Sequence, residues 1–139
     1  MTIAFEVSEL ISASPEAIYQ AWVSSAGHTA MTGSPAEASD IVGATFSAWD
    51  GYIFGHNLEL EPGVRIVQAW RTSEFAENEA DSRLEVVLTA HEDGTLVTIR
   101  HSNLPVDGEQ YRQGWLDYYF APMQEYFARR ANDSLSELD

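Results

Sequence analysis

Hydrophobic and polar positions change rhythm three times along the chain. Ile3, Phe5 and Val7 alternate with Ala4, Glu6 and Ser8, the period of a half-buried strand. Ser14-Pro15-Glu16 then opens a helix, with Ser as N-cap, Pro in the first turn and an acid at the positive end of the dipole. Ile18, Tyr19, Trp22 and Val23 give that helix an apolar side, and Ser24 to Gly33 reads as a second short helix. Ser34 to Gly43 reads as a loop or a poor strand. From Ala44 the period returns to two. Thr45–Trp49 and Tyr52–Leu60 flank Asp50-Gly51, a strong hairpin dipeptide. Glu61-Pro62-Gly63 turns the chain into Val64–Thr72, and Ser73 to Asp81 is a polar surface loop. Ser82–Ala90 and Thr95–Asn103, joined by His91 to Gly94, are the last strands.

The third rhythm is helical and organises the rest. Tyr111, Trp115, Tyr118, Pro122 and Tyr126 recur at three- and four-residue steps, and Leu116, Tyr119, Phe120, Met123 and Phe127 form a second stripe beside them. The helix is expected from Asp107 to about Arg130, with Asp107 as N-cap, Gln110 reaching back to the cap amide, and Pro122 introducing a kink. Each large ring gains roughly 1.5–3 kcal/mol by leaving water, so so wide an apolar arc demands a concave partner surface. The preceding strands supply it. The order strand, helix, helix, five meandering strands, long helix predicts an α+β domain: a curved antiparallel sheet of about six strands wrapped around a long C-terminal helix. One domain over 1–130 is expected, followed by an acidic, frayed tail at 131–139, and no repeat or interdomain linker interrupts it.

Charge narrows the partners. The 139 residues carry a net charge of -15, which disfavours nucleic acid and an anionic membrane surface. Hydrophobic content of 45% argues against disorder. With no cysteine, disulfides, thiolate metal sites and a Cys nucleophile are excluded. No basic-then-apolar start marks a signal peptide, and no run approaches the ~18 apolar residues of a membrane span, so a cytoplasmic location is expected.

The four histidines, His28, His56, His91 and His101, share no metal-ligand spacing. His56 and His101 fall on strands that the fold can bring together, and His101 shares a face with Val97 and Ile99. Its ordinary reading is a hydrogen-bonded histidine in or beside the core, with a polar handle on a ligand or a catalytic group as alternatives. Glu59 and Arg71, on adjoining strands, are candidates for a cross-strand ion pair. No nucleophile elbow or phosphate loop is present, so no enzyme signature, metal or cofactor is expected. The aromatic residues say more. Phe46, Phe54, Trp70, Trp115 and Tyr119, with Leu84, Val97, Ile99 and His101, are expected to converge on an apolar cleft between sheet and helix that binds a small hydrophobic molecule.

An ordered set of residues carries a resemblance: Gly43-Ala-Thr-Phe46, Trp49-Asp-Gly51, Gly55, Leu58-Glu59, Pro62, Arg65-Ile-Val67, Trp70-Arg71, Gly94-Thr95, His101, Pro105, Gln113-Gly-Trp115, Tyr118-Tyr-Phe120 and Tyr126. The chain resembles the C-terminal domain of the activators of heat shock protein 90 ATPase and their stand-alone bacterial relatives. They sit in the START-like (SRPBCC) helix-grip superfamily, with polyketide cyclases and lipid carriers. The resemblance, from about Phe5 to Phe127, implies the helix-grip fold. It leaves three functions open: a non-enzymatic module binding a small hydrophobic molecule, a co-chaperone-type interaction module in the stress response, and an enzyme of cyclase or hydrolase type using His56, His101 or Glu59. The eukaryotic members carry a further N-terminal domain for which 139 residues leave no room, and seven basic residues are few for the family's cationic contact surfaces, so weak or no chaperone stimulation is expected.

Overall fold

The computed structural model describes residues 2–137, with side chains described for 2–130. The expected tail at 131–139 lies outside the residues whose side chains are described. β1 (Thr2–Ile11) leads into α1 (Pro15–Trp22) and α2 (Ser25–Thr32). A meander follows: β2 (Thr45–Ala48), β3 (Ile53–Glu61), β4 (Arg65–Thr72), β5 (Ser82–His91) and β6 (Gly94–Pro105). The chain closes with α3 (Gln110–Trp115), a π-helical turn over Leu116–Phe120, and α4 (Ala121–Glu137). All six strands form one antiparallel sheet in the order β1-β6-β5-β4-β3-β2, so the first strand closes the meander by pairing with the last. The expected architecture holds.

Local chemistry accounts for the short helices. The Ser14 hydroxyl accepts from the Ala17 amide at 3.1 Å, and Pro15 stands in the first turn. Ser24 caps α2 through the Gly27 amide at 3.2 Å, and Gly33 ends it in a left-handed conformation. The long helix is different. It begins at Gln110, and neither Asp107 nor Glu109 makes a side-chain cap. Instead the Gly108 amide donates to the Pro105 carbonyl and the Tyr111 amide to that of Gly108, so a tight turn occupies the place of the expected capping box.

Opposed pairs define the sheet's inner face: Phe46 with Gly55, Gly55 with Trp70, Gln68 with Leu84, Leu84 with His101, and His101 with Phe5. Register breaks between Ile3 and Phe5 and between Asn57 and Glu59 bend the sheet. The concave side so formed receives the helices over a core that includes Ile66, Leu84, Val86, Val97, Ile99, Phe120 and Met123. The convex side carries ionic ladders. Arg65 contacts Glu59 and Glu85, while Arg71 is paired with Asp81 at 2.8 Å. The expected Glu59–Arg71 pair is therefore replaced, because Arg71 lies opposite Phe54 in the sheet.

Candidate functional site

Four aromatic rings stack between sheet and helices. Trp22 of α1 lies nearly parallel to Tyr119 at 5.2 Å, Tyr119 meets Trp115 at 4.7 Å, and Trp115 meets Trp70 of β4 at 5.8 Å. Offset and tilted contacts of this kind are what ring quadrupoles favour. Trp115 and Tyr119 reach the stack together because they are one helical turn apart.

A buried histidine fastens each end, and its partners fix its tautomer. The indole N–H of Trp115 donates to His101 Nδ1 at 3.1 Å. Indole is a donor only, so Nδ1 carries no proton and Nε2–H donates to the Ser82 hydroxyl at 2.8 Å. Ser82 donates onward to the Trp70 carbonyl at 2.6 Å. His28 is the mirror case. The Trp22 carbonyl, 2.9 Å from Nδ1, only accepts, so Nδ1 holds the proton and Nε2 accepts from the Tyr119 hydroxyl at 2.8 Å. Burial lowers the pKa of His101 to about 3 and of His28 to about 4, the latter partly offset by the carbonyl. Both rings are neutral at pH 7, and every ring nitrogen is occupied within the protein.

Beside this stack lies an open groove of about 390 Å³. Trp49 and Tyr52 from the β2–β3 connection, with Ile53 of β3, form one wall, and Trp70 of β4 lies between it and the helix. Gln110, Tyr111, Gly114, Trp115, Tyr118 and Tyr119 form the helical wall. Gly114 widens it, since a Cβ there would meet nothing within 4 Å. The turn is strained: Trp49 and Asp50 adopt φ of 53° and 57°, left-handed values uncommon outside glycine. Asp50-Gly51 thus sits in a four-residue connection between the paired Ala48 and Ile53, not in a two-residue hairpin. The indole N–H of Trp49 is buried and unpartnered, while its ring meets Tyr118 edge-on at 5.4 Å. Strain and an unsatisfied donor in one turn are features that concentrate at binding sites. At the rim the Tyr52 hydroxyl donates to Glu74, and the hydroxyls of Thr72 and Tyr111 lie 2.7 Å apart.

Of the residues expected to line a cleft, Trp70, Trp115 and Tyr119 do so. Leu84, Val97 and Ile99 are buried in solid core, and His101 is sealed behind Trp115 with no exposure. Phe46 is buried over Gly55, with its ring in the space a Cβ would take. Phe54 is on the convex face and 39% exposed, because the register sets Gly55, and not Phe54, against Trp70. The cleft is therefore displaced toward the start of the helix and the β2–β3 turn. His56 lies opposite Ala69, while His101 lies opposite Leu84 and Phe5. Phe75, in a loop expected at the surface, is 9% exposed and packs on Trp70 and Tyr111. Among the described residues, no group of three or more His, Asp or Glu is arranged to hold a metal, and no helix is long and apolar enough to cross a membrane.

A curved antiparallel sheet gripping a C-terminal helix, with a groove at one end of the grip, defines a START-like helix-grip domain. The chain belongs to the family described as Activator of Hsp90 ATPase homolog 1-like protein, whose model matches residues 12–128. It is 30% identical over 118 residues to the activator of 90 kDa heat shock protein ATPase homolog of Dictyostelium discoideum, covering 82% of this chain and 30% of that one. To the human activator of 90 kDa heat shock protein ATPase homolog 1 it is 26% identical over 127 residues, covering 91% of this chain and 37% of that one. The chain thus spans about a third of the length of these relatives. Among solved structures it is similar to an HSP90 activator from Plasmodium falciparum, with a TM-score of 0.77 and 26% identity over 86% of this chain and 91% of that one. The Aha1 dimer of Colwellia psychrerythraea shares the fold, with a TM-score of 0.74 and 19% identity over 90% of this chain and 96% of that one.

Proposed function

We propose that this chain is a non-enzymatic module that binds a small hydrophobic molecule in the groove between the β2–β3 turn and the start of the long helix. The observation that carries the reading is the groove itself: about 390 Å³, walled by aromatic rings, open to solvent and edged by hydroxyls. That volume falls at the small end of the ~300–1,000 Å³ of small-molecule sites, so the occupant is compact. The lining holds no carboxylate, histidine, lysine or serine, and the nearby His101 has both nitrogens engaged. The ionisable groups in the wall are tyrosines, and burial raises the pKa of Tyr52, Tyr111 and Tyr119, which disfavours the phenolate a base or nucleophile would need.

Gly114 offers the sharpest test, because a side chain there enters the groove without entering the core. A hydrophobic fluorescent probe is expected to bind the native chain with micromolar affinity. In Gly114→Leu it is expected to bind at least roughly tenfold more weakly, with thermal stability unchanged or raised, since leucine favours helix over glycine. Undiminished probe binding in that variant refutes the site.

The relatives' names favour a second reading, an interaction module acting on heat shock protein 90. The outcome expected is weak or no stimulation, since the chain matches about a third of those proteins. A several-fold rise in chaperone ATP turnover on adding micromolar chain would favour the second reading.

A further inference from the structure

The groove's walls are more aromatic than hydrophobic burial requires. Rings of Trp49, Tyr52, Trp70, Tyr111, Trp115 and Tyr118 surround it, where aliphatic side chains would serve a purely apolar ligand equally well. Aromatic faces carry partial negative charge, and several faces around one space attract a cation.

The charge at the groove's rim is negative. The chain contains no lysine, and no arginine lines the groove. Arg71 is turned to Asp81 and the carbonyls of Ala76 and Glu79, and Arg112 to Glu109 and the Phe5 ring. At the rim Glu74 accepts from Tyr52. Burial raises the pKa of the Tyr111 hydroxyl; hydrogen bonds with Thr72 and Tyr52 pull it back, and the charges of Glu74 and Asp107 add to the rise. The start of α3 does not reverse this. The Tyr111 and Arg112 amides already donate to the Gly108 and Glu109 carbonyls, and Asp107 and Glu109 oppose the helix dipole. An anion entering the groove meets the negative rim, against which the groove sets neutral donors such as the unpartnered Trp49 indole N–H and the Gln110 side chain, and no cation. A neutral molecule gains burial and at most a neutral hydrogen bond, with no charge attraction.

We infer that the groove selects a cationic ligand: a quaternary or protonated ammonium carried on a compact apolar body, held by the aromatic faces with Glu74 at the rim. This rests on the groove-binding reading above and adds the charge of the occupant to it.

The experiment compares three probes on the full chain: phenyltrimethylammonium, its neutral isostere tert-butylbenzene, and benzoate as the anion. Binding is read by tryptophan fluorescence and by amide shifts. Phenyltrimethylammonium is expected to bind about tenfold more tightly than tert-butylbenzene, and benzoate more weakly than either. Glu74→Gln, which keeps an acceptor for Tyr52 but removes the charge, is expected to weaken the ammonium several-fold and leave tert-butylbenzene unchanged. Equal affinity for ammonium and isostere, or tightest binding of benzoate, overturns the cationic selectivity while leaving the groove reading in place. An effect of Glu74→Gln on both probes alike assigns Glu74 a structural role and overturns its part in selecting charge. Binding of none of the three overturns the groove reading as well.

Discussion

Acidification from pH 7 to pH 5 is expected to destabilise this protein through two histidines. His28 and His101 have folded pKa values of about 4 and 3, against 6.5 for an unconstrained imidazole. Above pH 6.5 both states are neutral and the rings contribute no pH dependence. Below it the unfolded chain takes up two protons that the folded chain refuses, so stability falls as pH falls, down to about 4 for His28 and 3 for His101. At pH 5 the unfolded imidazoles are about 1.5 units below their pKa, which at ~1.36 kcal/mol per unit is about 2 kcal/mol each, about 4 kcal/mol together. Against a total of roughly 5–15 kcal/mol that is a large loss. The window is suited to the purpose because ordinary carboxylates titrate mainly below ~4.5. Urea melts at pH 7 and pH 5 measure it, with His28→Asn and His101→Asn as controls. Each substitution keeps a polar group on the Nδ1 side, and each is expected to remove about half of the pH-dependent loss, whatever its own cost at pH 7. Stability that is flat or rising from pH 7 to pH 5 refutes the buried neutral assignment. A long-range proton–nitrogen spectrum at pH 7 checks the geometry directly, with the proton on Nε2 of His101 and on Nδ1 of His28.

Trp115→Ala is expected to cost roughly 3–5 kcal/mol in urea melts, because it empties the middle of the aromatic stack. Trp115→Phe keeps most of the ring but strands His101 Nδ1, and a loss of about 1–3 kcal/mol is expected from the unsatisfied acceptor. Gly55→Ala places a Cβ 1.8 Å from the Ala69 carbonyl oxygen, so the β3–β4 backbone must shift, and a loss of at least ~1–3 kcal/mol is expected. Gly114→Ala is expected to raise stability by about 0.5–1 kcal/mol, a thermal-melt measurement that checks that the position is helical and unobstructed.

The parts of the fold legible in the sequence are those whose causes are local. Ser14-Pro15 and the Ser24–Gly33 bracket specify α1 and α2 through caps that their own side chains and backbone make. The β2–β3, β3–β4 and β5–β6 pairings follow from short turns, whereas the Ser73–Asp81 loop joins β4 to β5 and β1 meets β6 from the far end of the chain. What the sequence does not carry is register. Nothing in Tyr52–Leu60 says whether Phe54 or Gly55 opposes Trp70, yet that single choice puts Phe54 on the convex face and leaves Phe46 room to lie over a glycine. His28 is hidden for a related reason, since its side-chain partner Tyr119 meets it only when α2 packs on the long helix. Phe75 was masked by its polar surroundings. Arg71, reaching the carbonyls of Ala76 and Glu79, folds that loop back on the sheet and carries the ring inward. The signal that pointed nearest to the groove was Trp49-Asp-Gly51, a hydrophobic ring beside a turn dipeptide where a solvent-facing residue is usual.

The long helix shows how one residue sets the groove's position. Pro122 has no amide hydrogen, and its ring crowds the carbonyl four residues earlier, that of Tyr118. The helix carries a π-helical turn immediately before it, closed by the Ala121 amide on the Leu116 carbonyl. A π turn holds one more residue than an α turn, which allows the consecutive Tyr119 and Phe120 both to be buried, at 3% and 2% exposure. The buried seam therefore runs Tyr111, Trp115, Tyr119 and Phe120, Met123, Phe127, and Tyr118, expected on the buried stripe, is 58% exposed. Exposed there, it stands against Trp49 and makes a wall of the groove. The irregularity that lets Tyr119 reach His28 in the core is thus the same one that leaves Tyr118 at the groove's edge, so the aromatic stack and the candidate site share one structural cause.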